Sequence, residues 1–445
     1  MADERAAGTG LQSPQPAPHP SFAEALKVWL QIGLASFGGP AGQIATMHKV
    51  LVEQRRWVDE GTYLLALNFC TLLPGPEATQ LATYVGWRLH GIKGGLAAGL
   101  LFVLPGAAVM LALSALYATS GNIPTIAAIF FGIKAAILAV VVEALFRIAS
   151  RSLRDGAEWL IAAASFVAIF VFRVPFPLIV LAAGLIGYLR GINDARTETL
   201  TAAAVPVPIS STLRTIGIWL VIWLAPLFAV ALLFGFDHVL AKIAIFFSKL
   251  AVVSFGGAYA VLAYMAQEVV QTYGWLKPGE MLDGLGLAET TPGPLILVTE
   301  FVGFLAAARH GGEPALLFGV LGALVTLWAT FAPCYLYVFA GAPYIEWLKS
   351  APKLKSALSA VTAAVVGVIL NLSVWFSLHV LFHSRVEIAA GPVHLELPDL
   401  ASLDIAAAAL AALAAVLLFV RHAGIMTTLA VCASASLLLA IVARL

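Results

Sequence analysis

Apolar runs long enough to cross a lipid bilayer recur along nearly the whole of this chain. A membrane-crossing helix needs about 20 apolar residues to span roughly 30 Å of hydrocarbon, and about 13 such runs follow one another between residues 22 and 444. Hydrophobic residues make up 61% of the chain and charged residues 11%, which excludes a soluble domain with a polar surface. The sequence predicts an all-α polytopic membrane protein with about 13 transmembrane segments.

The most polar interior stretch, "RGINDARTETLTAAAVPVPISSTLR", divides these runs into two groups. We expect it to be a loop that joins two halves of the protein. The predicted divisions are a disordered N-terminal tail at 1–20, an N-terminal repeat at 21–190, a linker loop at 191–212, a C-terminal repeat at 213–380 and a C-terminal helix pair at 381–445.

The two halves share three short motifs in one register. "SFGG" begins at Ser36 and again at Ser254, a tryptophan follows at Trp57 and Trp275, and "PGP" occupies 74–76 and 292–294, always 218 residues apart. Three motifs at matching, wide spacings indicate a duplicated unit, which is typical of secondary transporters.

The PGP motif interrupts a membrane segment in each copy. Two prolines around a glycine cannot continue a helix, because each ring removes a backbone donor and clashes with the preceding turn. An unpaired backbone group costs several kcal/mol in lipid, so such a break must face protein or a water-filled cavity. Pro76 and Pro294 suit the first position of a new helix, whose free amides and positive dipole end attract anions. The pair of breaks therefore predicts an anion site, and a simple kink is the alternative.

Polar side chains follow the first break at helical spacing. Glu77, Gln80, Tyr84 and Arg88 fall on one helix face, which predicts a polar stripe from the break to the membrane surface. Two plainer interpretations stay open. Glu77 would complement the helix dipole only, and Arg88 would reach to the lipid headgroups.

The second copy places its polar residues before the break instead, as Glu289, Thr290 and Thr291. The two copies are thus expected to contribute different polar groups to one central site. Lys134 and Lys249 add charges inside apolar runs, where a charge is functional or paired as a rule. Lys134 is expected to supply positive charge to the anion, with a purely structural role as the alternative.

The topology of the first break is open from the residues alone. If residues 61–90 cross as one broken helix, the two copies are inverted, and if they form a re-entrant hairpin, the copies are parallel. The distribution of Lys and Arg favours neither arrangement. The preceding amphipathic segment, 41–57, is expected to lie flat at the membrane interface.

Several segments of the chain carry a family resemblance. "FGGPAGQIATMHKVLVEQRRWV", "LLPGPEATQLATYVGWRLHGIKGG" and "FVLPG" resemble the chromate ion transporter family, and "SFGGAYAVLAYM" with "ETTPGPLILVTEFVGF" is similar to its C-terminal half. The likeness spans roughly residues 22–380. It implies a long, two-domain member that exports chromate, with sulfate as a related anion, and two halves in opposite orientation.

The family pattern falls on positions in both copies of this sequence. The resemblance implies substrate-binding roles for Gly38, Gly39, Pro40, Arg56, Trp57, Pro74, Gly75, Pro76, Glu77, Gly256, Gly257, Pro292, Gly293 and Pro294. The second "FGG" is followed by Ala258 where the first is followed by Pro40, a difference that argues against equal roles for the copies.

The leading hypothesis is a multi-pass inner-membrane secondary transporter that exports chromate, confers chromate resistance, and is driven by membrane potential, proton or anion exchange. At 100 mV, moving a dianion outward gains about 4.6 kcal/mol. Arg56, Arg88 or Lys134 would add charge to the site, and Glu77 or Glu289 would couple proton movement to anion movement.

Other functions are kept beside this one. Another inorganic anion, sulfate first, is the nearest alternative, and a membrane-integral lipid-handling enzyme or a scaffold is the alternative of another class. No zinc-ligand spacing, nucleophile elbow or phosphate-binding loop is present, so neither an enzyme nor a cofactor is expected. The expected partners are chromate, sulfate and the lipid bilayer, with no nucleic acid. A homodimer is left open.

Overall fold

The computed structural model describes residues 19–37, 39–121, 123–194, 208–255, 258–345 and 352–442. Most of the predicted tail and linker lies outside these ranges. Sixteen α-helices, labelled α1 to α16, account for most of the described residues. In chain order they are Phe22–Ala35, Gly39–His48, Glu60–Cys70, Glu77–Ser120, Pro124–Ser152, Gly156–Phe170, Phe176–Asp194, Ile209–Phe234, Val239–Val253, Ala258–Gln267, Pro278–Thr290, Val298–His310, Ala315–Gly341, Pro352–Leu381, Ile405–Ala415 and Ile425–Val442.

Short π- and 3-10 turns extend several of these helices. The π-helical turns are Lys49–Gln54 after α2, Glu268–Thr272 after α10 and Val416–Val420 after α15, and the 3-10 turns are Leu295–Leu297, Ala342–Tyr344 and Leu400–Ser402. Both copies of the repeat carry a π-turn at the same place, three residues before Trp57 and Trp275, the tryptophans that lie 218 positions apart.

In the described part of the chain, six helices are long and apolar enough to cross a membrane: α4, α5, α8, α13, α14 and α16. Three shorter apolar helices, at 156–170, 176–191 and 405–420, accompany them. The prediction of an all-α polytopic membrane protein is confirmed. The predicted number of about 13 crossing segments stays a prediction.

The first repeat begins with two helical hairpins. The α1–α2 pair reverses after Ser36, and Arg55 beyond α2 reaches back to Glu24 near the start of α1, with Nη1 3.0 Å from Oε1. The α3–α4 pair reverses at the first PGP, which brings the rings of Phe69 and Tyr84 to 5.9 Å. Residues 60–90 therefore fold as a hairpin and do not cross as one broken helix.

Helix α4 contains a second reversal. His90 and Gly91 have non-helical backbone angles, and Gly91 has a φ of 61°. The arm before this point packs against the arm after it so closely that a Cβ added to Gly86 would lie 2.4 Å from the carbonyl oxygen of Gly94. Residues 92–120 then form an arm about 43 Å long, at 1.5 Å per residue.

The second repeat builds the same two hairpins from its own residues. Phe246 of α9 contacts Tyr273 after α10, with ring centroids 5.4 Å apart. The α11–α12 pair reverses at the second PGP, and Arg309 near the end of α12 makes two hydrogen bonds, of 2.8 and 2.9 Å, to Glu280 near the start of α11. The duplicated motifs thus correspond to duplicated hairpins.

One β-hairpin interrupts the helices. Strand β1 (Arg385–Ala390) pairs antiparallel with β2 (Val393–Pro398) around Gly391, whose φ is 60°. This hairpin lies within the segment predicted as a C-terminal helix pair, so α15 and α16 begin only after it. The alternation of apolar residues in "RVEIAAGPVHLELP" is the period-2 signal that predicts such strands.

Candidate functional site

The tips of the two PGP hairpins meet the SFGG turns of the opposite repeat. The amide of Gly75 donates to the carbonyl oxygen of Ser254 at 2.9 Å, and the amide of Gly293 donates to that of Ser36 at 2.8 Å. Both glycines have positive φ, 111° and 91°, a conformation that side-chain-bearing residues rarely adopt. The duplicated motifs therefore recognise each other reciprocally, at the contact between the two repeats.

A small cavity of about 10 Å³ lies at this contact, and we call it the axial cavity. It is lined by Pro40, Gln43, Pro76, Glu77, Ala78, Ala258, Pro294, Leu295 and Ile296. Eight of these residues form four pairs 218 positions apart, so the two repeats contribute matching positions. The chemistry is unequal, because Glu77 is matched by Leu295.

A neighbouring cavity of about 10 Å³ lies beside the first PGP tip, and we call it the side cavity. It is lined by Gly75, Pro76, Leu250, Ala251, Ser254, Ala258, Val261, Ile296 and Thr330. Val261 stands 218 positions after Gln43, so the first repeat has a polar side chain where the second has an aliphatic one.

Both PGP motifs start a helical turn at the axial cavity. Pro76 is the N-cap of α4, and Pro294 is the N-cap of the 3-10 turn that leads into α12. The sequence predicted that each proline is the first helical residue. In the structure each proline lies one position before that residue. The first amides of a helix have no acceptor within it and carry about half a positive charge, so two such ends point anion-binding groups at one cavity.

Glu289 lies buried behind the Gly39 turn. Its Oε1 accepts a 2.8 Å hydrogen bond from the Tyr259 hydroxyl, while Oε2 has no hydrogen-bond partner in the described residues. A Cβ added to Gly39 would lie 4.0 Å from that Oε2. The neighbouring Thr290 and Thr291 use their hydroxyls on carbonyls of their own helix, at 2.9 and 3.2 Å.

The predicted polar stripe does not act as one unit. Gln80 turns back onto its own break, where its Nε2 donates to the carbonyl oxygen of Pro74 at 2.6 Å. Tyr84 is buried between Phe69 and Trp87, and Arg88 is exposed at the far end of the arm. Of the four stripe residues, only Glu77 lines the axial cavity.

Arg56 and Trp57 lie at the outer end of the first hairpin. Arg56 is exposed with a φ of 54°, whereas Trp57 is 6% exposed and packs into the core. The segment before them runs from Gln43 at the axial cavity to Arg55 at the surface. The expectation that 41–57 lies flat at the interface stays a prediction, although α2 is the returning arm of a hairpin.

Lys134 is held by an ion pair away from the axial cavity. Its Nζ lies 3.2 Å from Oδ2 of Asp283 on α11, and the same oxygen accepts a 2.7 Å hydrogen bond from the Tyr117 hydroxyl. Asp283 is 2% exposed. This arrangement supports the structural alternative for Lys134, and neither described cavity includes its side chain.

The remaining predicted site residues are Pro292, Gly38, Gly256 and Gly257. Pro292 packs against α4, where a Cβ on Gly106 would lie 2.0 Å from its carbonyl oxygen. Gly38, Gly256 and Gly257 lie outside the described residues.

Sequence reasoning missed Gln43. Its Nε2 donates to the carbonyl oxygen of Gly293 at 2.6 Å, and its Oε1 is buried without a partner in the described part of the chain. Comparison with Val261 in the other copy is the signal that would have found it. Thr79 and Thr330 also bury hydroxyl groups without described partners near the two breaks. Among the described residues, no cluster of three or more His, Cys, Asp or Glu could hold a metal ion.

Comparison with known proteins agrees with this duplicated architecture. The Chromate transporter family matches residues 23–188 and again 241–439. The chain belongs to this family. It is a family of transporters and not of enzymes, in agreement with the absence of catalytic motifs. No solved structure matches the chain.

Known relatives match this chain over most of its length. It is 30% identical to the probable chromate transport protein of Synechococcus elongatus over 79% of its own length and 84% of that protein's. It is 29% identical to the chromate transport protein of Cupriavidus metallidurans over 81% and 86%, and 32% identical to that of Pseudomonas aeruginosa over 79% and 80%. The resemblance read from the sequence is confirmed.

Proposed function

We propose that this protein transports chromate across the inner membrane and that the axial cavity is its binding site. The observation that carries the proposal is the meeting of both PGP tips at one cavity, in a chain whose relatives are chromate transport proteins. The cavity has about 10 Å³ of room in this structure, the space of about one water molecule, so binding of chromate there requires the two tips to separate.

The charges around the cavity suggest how an anion is held. Two helix ends supply about one positive charge in total, and no Lys or Arg is among the lining residues. Glu77 would oppose a dianion unless it carries a proton. We therefore propose that Glu77, with buried Glu289 behind the Gly39 turn, couples proton movement to anion movement.

The two repeats are proposed to be inverted. His90 contacts the carbonyl oxygen of Pro20 at one end of the long α4 arm, whereas Tyr117 near its other end contacts Asp283 of the second repeat. On the sequence alone, a re-entrant hairpin at 61–90 gives parallel copies. That conclusion assumes that residues 22–38 cross the membrane. Since α1 and α2 also form a hairpin, only α4 to α8 cross between the copies, and an odd number of crossings inverts the second.

The described basic residues favour one orientation. We take the six long and three shorter apolar helices to cross once each, which makes nine crossings. The end of the molecule that holds Pro20 and His90 then carries Arg55, Arg56, Arg88, Lys93, Arg151, Arg154, Arg190, Arg214, Lys353, Lys355 and Arg421. The opposite end carries Arg173, Lys242, Lys277, Arg309 and Arg385. By the positive-inside rule we place the first end in the cytoplasm. An interior-negative potential then favours outward movement of an anion, which supports export and chromate resistance.

Chromate flux into inverted membrane vesicles tests the proposal. Vesicles containing the protein should accumulate chromate faster than empty-vector vesicles, and collapse of the membrane potential should slow that uptake. Excess sulfate is added in a parallel series, because chromate and sulfate share charge and shape. Uptake equal to that of empty vesicles would reject chromate transport, and uptake of labelled sulfate alone would assign the protein to sulfate.

The same assay tests proton coupling with Glu77→Gln. The amide keeps the size of the side chain but cannot exchange a proton, so chromate flux should fall at least tenfold or lose its pH dependence. Thr71→Ser, an exposed substitution in the same hairpin, is the matched control and should behave as the parent protein. A Glu77→Gln variant with unchanged flux and an unchanged pH profile would remove Glu77 from the coupling mechanism.

A further inference from the structure

The two PGP tips are held unequally across the repeat interface. Each tip glycine donates its amide to a serine carbonyl of the other repeat, Gly75 to Ser254 and Gly293 to Ser36. The Gly293 backbone makes a second cross-repeat hydrogen bond, in which Gln43 donates to its carbonyl oxygen at 2.6 Å. Within the described residues, the tip of the second repeat is therefore held by two cross-repeat hydrogen bonds and the tip of the first by one, while the bond from Gln80 to the Pro74 carbonyl oxygen at the first tip stays within its own repeat.

The origin of this difference is one position of the duplication. The residue that matches Gln43 is Val261, which is 3% exposed and has no hydrogen-bond donor in its side chain. Val261 and Gly75 both line the side cavity, whose room of about 10 Å³ is that of about one water molecule. Empty space therefore lies beside the first tip, in the region where a longer polar side chain on α10 would extend.

We infer that Gln43 is a positioning residue that anchors the second PGP tip and thereby leaves the first tip, at Gly75, as the one that moves during transport. This inference rests on the proposed transport through the axial cavity. Gln43 also lines that cavity, and its Oε1 is buried without a partner in the described residues. The anchor thus joins the binding site to the tip, so one side chain contacts both the space for the anion and the hairpin that closes it.

Amide hydrogen exchange of the purified protein, followed by mass spectrometry on peptides that cover 71–80 and 289–298, measures the local opening of each tip. In Gln43→Val, exchange of 289–298 should accelerate about two- to twelvefold, the range that loss of one net hydrogen bond supports, while 71–80 stays unchanged. In Val261→Gln, exchange of 71–80 should slow, because the new amide reaches the empty space beside Gly75. Val261→Leu has similar bulk without a donor and should leave 71–80 as it is.

Chromate flux in the same variants separates the anchor from a merely structural role. Val261→Gln should slow flux because it ties down the moving tip, and Val261→Leu should not. Unchanged exchange of 289–298 in Gln43→Val overturns the inference, as does a Val261→Gln variant whose extra tie slows exchange of 71–80 without slowing flux. The exchange readout needs no chromate, so a parent protein that moves no chromate rejects the proposed function and leaves the anchoring test intact. If Val261→Gln does not fold, the Gln43→Val exchange decides alone.

Discussion

At the scale of single residues, the protein is a duplication whose copies have diverged at the site. Glu77 corresponds to Leu295 and Gln43 corresponds to Val261, so the polar side chains of the axial cavity come from the first repeat. The second repeat contributes Glu289, which has no acidic equivalent at Thr71. Backbone features have been kept instead, since both tips retain a positive-φ glycine and its bond to the opposite serine carbonyl.

The Lys134–Asp283 pair gives a prediction at this scale. Lys134→Met leaves a buried carboxylate without its cation, so the free energy of unfolding should fall by about 1–3 kcal/mol, less than for a fully buried pair because the lysine side chain is 27% exposed. Thermal unfolding in detergent measures the change. Lys134→Met combined with Asp283→Leu should recover at least half of the loss. A stable double variant without chromate flux would instead show that Lys134 acts on the anion.

At the scale of elements, the helical hairpin is the repeated unit that builds the site. Each hairpin carries a glycine-rich or PGP turn inward and returns its second arm to the side on which it entered, as the Arg55–Glu24 and Arg309–Glu280 contacts record. Backbone groups at the turns pair with the other repeat, so the breaks leave few orphaned groups inside the membrane. The amides of the two tip glycines thus find these acceptors only when both repeats are present.

Close packing of the α4 arms can be tested with Gly86→Ala. The added Cβ would lie 2.4 Å from the Gly94 carbonyl oxygen and 2.5 Å from Cβ of Ala98, so the arms must separate. Such overpacking should lower the free energy of unfolding by about 1–3 kcal/mol, seen as a lower melting temperature in detergent. Gly156→Ala is the matched control, because nothing lies within 4 Å of its new Cβ. Equal melting temperatures for the two variants would contradict the hairpin packing.

At the scale of the whole molecule, nine apolar helices and four helical hairpins make up most of the described chain. The nine are the six long and three shorter apolar helices, α4 to α8 and α13 to α16. The second-repeat hairpins are mostly buried, whereas half of α1 in the first repeat and most of α8 are exposed. If all nine cross, as the proposed arrangement requires, residues 19 and 442 lie on opposite sides of the membrane.

Reporter fusions test this arrangement. A reporter active only in the cytoplasm should be active when joined ahead of residue 19 and inactive when joined after residue 442, and a reporter active only outside should show the reverse pattern. The positive-inside distribution sets the direction of the difference. Activity of the same reporter at both ends would require an even number of crossings and would reject the inverted arrangement.

The sequence by itself determined the fold class, the family and the place of the breaks. Apolar runs set membrane helices because backbone groups must pair internally in lipid, and Pro-Gly-Pro ends a helix wherever it falls. The 218-residue register identified both copies of the motifs. These are properties of local chemistry, and they hold before any helix packs on another.

Only the tertiary structure decided which residues share the site. Periodicity placed Gln80, Tyr84 and Arg88 on one face with Glu77, but where a face points depends on where the chain reverses, and the reversals near Ser36 and at His90 had no decisive local signal. Gln43 was missed for the same reason, since its partner Gly293 lies 250 residues away along the chain. A hydrogen bond between repeats is set by how two hairpins meet, and that meeting is a property of the folded molecule alone.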